Sequence, residues 1–91
     1  MTMTMQYLEV TFRHGEPLAA YLYLPRRARD RSARTRRVPP GFVVDFTSDG
    51  RPIGIEITAP SRATAAGLNR LLKKLGCEPV TRSDLAPLRA A

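Results

Sequence analysis

Residues 41–58, GFVVDFTSDGRPIGIEIT, alternate apolar and polar side chains on either side of one Asp-Gly pair. Phe42, Val44 and Phe46 share one face of a first strand, and Ile53, Ile55 and Ile57 share one face of a second, because successive side chains of a strand point to opposite sides. Asp49-Gly50 supplies the turn between them: Gly reaches positive φ without a Cβ penalty, and Asp tolerates the left-handed region. The two rows of three large apolar residues are the seed of a core.

Outward from this hairpin, Tyr7 to Phe12 alternates with Leu8, Val10 and Phe12 on one face and reads as a strand. Arg13 to Pro17 turns the chain into a second strand, Leu18 to Leu24. Ala20, Leu22 and Leu24 point towards the core there, and Ala19, Tyr21 and Tyr23 point away from it. Pro25, which lacks an N–H for a ladder, ends it. Downstream, Ala59-Pro60-Ser61 marks a helix start with Ser61 as cap, and Arg62 to Leu75 carries Ala65, Leu68, Leu71, Leu72 and Leu75 at helical spacing. Gly76 is placed to stop that helix. The expected fold class is α+β: an antiparallel four- or five-stranded sheet with one C-terminal helix packed on one face and a short C-terminal tail. A chain of 91 residues is one domain with a small core. Its expected limits are 1–76, followed by a tail over 77–91 in which Ser83-Asp84-Leu85 offers a further cap.

The net charge of +7 is unevenly spread. Residues 1–25 sum to −1, residues 26–37 to +6 and residues 38–91 to +2. Arg26, Arg27, Arg29, Arg31, Arg34, Arg36 and Arg37 thus hold most of the imbalance. The arginine- and proline-rich segment 26–40 reads either as a solvated loop, because like charges repel, or in its second half, Ser32 to Val38, as an edge strand protected by charge. Arginine forks bind phosphate oxygens bidentately, so these seven residues are the candidate contacts to nucleic acid. No helix-turn-helix, zinc-finger or RNP-type pattern accompanies them.

Other chemistry is sparsely provided for. His14 and Cys77 are the only soft metal ligands, and GRPIG, 50–54, lies inside the hairpin and not between a strand and a helix, so neither a metal nor any other cofactor is expected. Asp45 and Glu56, if they face each other across the hairpin, would make a carboxylate pair for acid-base work; more often such residues are simply the solvent-facing partners of an amphipathic ribbon. Gly54 opens a gap opposite the isoleucine row in which a ring such as Tyr21 or Tyr23 can lie. The outer sheet face then carries Tyr7, Tyr21, Tyr23 and Val43, too apolar for a wholly solvated surface. A homodimer interface and a platform for unpaired bases both fit it, and the dimer is favoured.

The run VVDFTSDGRPIGIEI, Val43 to Ile57, with two alternating strands before it and a helix after it, resembles the YuzE-like family of small bacterial domains of unknown function. The resemblance covers roughly residues 6–61. It implies a compact antiparallel sheet with one helix, and for some relatives partnership with toxin-like proteins. Two places depart from the pattern: Arg13, His14 and Gly15 stand in a turn that is usually acidic, and Arg34, Arg36 and Arg37 stand where the family tends to be acidic. Neutralising a basic toxin would need the opposite sign.

No apolar run approaches the length of a membrane span, MTMTMQYLEV lacks the features of a secretory signal, and the single cysteine excludes an intramolecular disulfide, so a cytoplasmic protein without membrane contact is expected. The reading is a non-enzymatic interaction module, homo-oligomeric, with a nucleic-acid-binding accessory role and partnership with a toxin-like protein as alternatives.

Overall fold

The computed structural model describes residues 2, 3 and 5–89. Ala90 and Ala91, the end of the expected tail, lie outside them. The alternating segments form β2 (Tyr7–Arg13), β3 (Glu16–Tyr23), β5 (Arg34–Val38), β6 (Phe42–Phe46) and β7 (Pro52–Ile57) of one antiparallel sheet, in the order β2-β3-β7-β6-β5. Two short strands, β1 (Thr2–Met3) and β4 (Arg26–Arg27), pair separately. One helix, α1 (Ala65–Lys74), completes an α+β fold. Among the described residues no helix is long and apolar enough to cross a membrane.

Both tight turns follow from residues that accept positive φ. His14 (φ 53°) and Gly15 (φ 78°) join β2 to β3 in two residues, the arrangement whose twist matches the flanking strands. In the β6–β7 hairpin Gly50 has φ 89°, and Thr47 and Arg51 close the turn through Thr47 N–H to Arg51 C=O, 2.9 Å. The Thr47 side chain is buried; its hydroxyl accepts from Arg51 N–H at 3.0 Å and donates to Asp49.

The core lies between one face of the sheet and the C-terminal third of the chain. Ala20, Leu22 and Leu24, with Phe42, Val44, Ile55 and Ile57, meet Leu68, Leu71 and Leu72 of α1 in a single apolar cluster. Ile53 is buried too. Phe46 is only half-buried, because the register slips between Asp45 and Phe46. Phe12 departs further from expectation: the same irregularity occurs between Thr11 and Phe12, and the ring is 47% exposed.

The helix begins later than Ser61. Pro60–Arg62 instead forms a 3-10 turn, and Ala63 returns to an extended conformation with its side chain buried. That break passes the capping role to Thr64, whose hydroxyl accepts from Gly67 N–H at 3.0 Å. The stop at Gly76 is as expected, with φ 72°. Beyond it the tail is part of the core. Asn69 on α1 bonds both backbone groups of Val80, Nδ2 to the carbonyl at 2.9 Å and Oδ1 from the N–H at 2.8 Å. Val80, Leu85 and Leu88 are buried in the same cluster.

Candidate interaction surfaces

With the helix and tail on one side, the other side of the sheet faces outward. Strand alternation puts Tyr7 and Glu9 of β2, Tyr21 and Tyr23 of β3, Gly54 and Glu56 of β7, Val43 and Asp45 of β6, and Thr35 and Arg37 of β5 on it. The register brings the aromatic residues together. Tyr7 pairs with Tyr23, and their rings stack at 4.5 Å between centroids and 15° between planes. Tyr21 meets Tyr23 edge-on at 4.8 Å and 68°. Tyr7 is half exposed, and Tyr21, Tyr23 and Val43 are partly buried.

Gly54 holds the gap expected of it, and Tyr21 is the ring that fills it. A Cβ at Gly54 would overlap the Tyr21 hydroxyl and ring carbons. Lying across β7, the ring reaches Asp45 on β6, and the hydroxyl donates to Oδ2 at 2.6 Å. Burial, and then the adjoining carboxylate, push the Tyr21 hydroxyl up to about 12. Asp45 pairs with Gly54, and Glu56 pairs with Val43. The two carboxylates therefore do not face each other across the hairpin, and one of them already accepts a hydrogen bond from a tyrosine. The hairpin pattern alone gave no signal for that bond, because its donor comes from a third strand.

The arginine segment is ordered and divided. Arg26 turns inward: its Nη2 donates to the Ile53 carbonyl and its guanidinium lies 5.2 Å from the centre of the Tyr23 ring. Arg27, Arg29 and Arg31 are exposed on the crossing towards the far edge of the sheet. Asp30, the one acidic residue among them, accepts from Arg27 N–H at 2.8 Å and forms a two-pronged ion pair with Arg51 at 2.7 and 2.8 Å. The hydrogen bonds from Arg51, and then from the Arg27 backbone, hold its carboxyl at about 2. Arg51 also bonds Asp49, so one guanidinium ties the crossing segment to the hairpin turn.

Residues 34–38 form the edge strand β5, paired with β6. Arg34, Arg36 and Arg37 are exposed. Arg36 stands 5.5 Å from the centre of the Phe46 ring on the helix side of the sheet, whereas Arg37 lies on the tyrosine side, opposite Val43. Among the described residues no group of three or more His, Cys, Asp or Glu side chains converges in a way that could hold a metal ion. Comparisons of the chain with protein-family models, with curated proteins and with solved structures found no match.

Proposed function

We propose that this chain is a non-enzymatic interaction module, resembling the YuzE-like domains of unknown function, that works as a homodimer with two copies packing their tyrosine faces together. The observation that carries this reading is the cluster of Tyr7, Tyr21 and Tyr23, with Val43 across Glu56 on the same sheet face, which nothing among the described residues covers with a second layer. Small domains with little core commonly complete their burial by association, and aromatic residues are enriched at such interfaces. The face also carries both signs of charge, Glu9 and Glu56 against Arg37, which a two-fold axis can bring into opposition.

The alternative of nucleic-acid binding draws on the same arginines, but Arg26 is engaged internally and Arg36 and Arg37 fall on opposite sides of the sheet. That separation favours the dimer over a single phosphate-binding patch. Sedimentation velocity on the full chain at rising concentration tests the reading. A dimer is expected, and Tyr7→Asp, at the most exposed of the three rings, should shift it to monomer. A wild-type chain that stays monomeric at every concentration overturns the proposal.

A further inference from the structure

Among the described residues, the side of β5 away from β6 pairs with no strand. An open edge presents backbone N–H and C=O groups that a further strand can complete. This one is RTRRV, and four of its five residues are exposed. A hollow flanks it on each face: Arg34, Thr35, Arg36, Phe46 and Gly50 line the one on the helix side. Arg37, Val38, Val43 and Glu56 line part of the other. An added strand would send alternate side chains over these two hollows, and those on the helix side would pass Arg34 and Arg36 above the Phe46 ring.

The charge decides the occupant. A second copy of β5 would set arginines against arginines, and like charges opposite one another destabilise a pair of strands. Asp30 leaves the positive charge of the edge in place, because its carboxylate is already paired with Arg51. We propose that the outer edge of β5 is a docking site for an extended acidic segment of a partner protein, which adds as one more strand with its alternate carboxylates on the helix side, against Arg34 and Arg36. Single-stranded nucleic acid would satisfy the guanidinium groups but has no amide ladder to continue the sheet.

A labelled synthetic peptide of alternating Glu and Thr, titrated into the full chain, tests this alongside a Lys-Thr peptide, an N-methylated Glu-Thr peptide and a single-stranded DNA of matched charge. The Glu-Thr peptide should bind and shift the amide resonances of residues 34–38. Charge reversal by Arg34→Glu and Arg36→Glu together should weaken it about tenfold or more and admit the Lys-Thr peptide. The N-methylated peptide should fail to bind, since it has lost its ladder donors. Equal binding of the N-methylated peptide, shifts confined to the tyrosine face, or binding of DNA with none of the peptide would each overturn the proposal. If the double variant does not fold, Arg36→Glu alone and the N-methyl comparison decide.

Discussion

At Gly54 the absence of one methyl group sets the position of a ring on the neighbouring strand. Tyr21 lies where a side chain at 54 would be, and only from there does its hydroxyl reach Asp45. Gly54→Ala should therefore destabilise the protein by about 1–3 kcal/mol, the usual cost of forcing extra volume into a packed site. In a Tyr21→Ala background the same change should cost much less, because the atoms in conflict are gone. Denaturant unfolding of the four proteins of that cycle measures the coupling, and strictly additive effects would contradict the contact. The gap itself is legible in the sequence, as a glycine on the face opposite an isoleucine row with tyrosines on a neighbouring strand. The choice of Tyr21 over Tyr23, and Asp45 as its acceptor, depend on a register across three strands that no local pattern encodes.

Among the elements, segment 26–38 is where composition is the poorest guide. Seven arginines suggest mutual repulsion and a loop, yet the chain is fixed at both ends: Arg26 by the Ile53 carbonyl and the Tyr23 ring, residues 34–38 by β6. Between them the Asp30–Arg51 pair supplies the restraint, from residues far apart in sequence. Asp30 titrates below its ordinary value of 3.8, at about 2, so the pair stabilises the fold fully above pH 3.8 and loses its effect as pH falls towards 2 and below. Asp30→Asn should be less stable than wild type at neutral pH, with the difference closing over that acid window. Unfolding measured as a function of pH checks this, and a difference that stays constant to the lowest pH would rule out the ion pair as its source. The helix start illustrates a different limit. Ser61 and Thr64 are both capping types, and what selects Thr64 is the burial of Ala63, a tertiary contact.

For the molecule as a whole, four of the five strands and the helix stripe could be read from alternation and spacing, but the fifth strand, read as a loop or an edge strand, the strand order and the docking of the tail could not. Residues 77–89 contain few apolar side chains, and Val80, Leu85 and Leu88 do not follow one strand or helix period. Asn69 instead fixes the start of this stretch, its amide bonding the Val80 backbone much as a neighbouring strand would. Leu85→Ala should cost about 2–5 kcal/mol, the range for truncating a buried leucine. A change within a few tenths of a kcal/mol in thermal or chemical unfolding would place the tail outside the cooperative unit.

The strand order also bears on how the chain reaches this state. Each outer pairing, β2 with β3, β5 with β6 and β6 with β7, joins neighbours along the sequence. The seam between β3 and β7 does not, since it aligns Leu22 with Ile55, thirty-three residues on. Local hairpins close a short loop at little entropic cost, whereas the central seam must close a long one before its contacts form. The two halves of the sheet can thus assemble separately, and their meeting at β3 and β7 is the expected slow step of folding, with the arginine crossing as the tether between them.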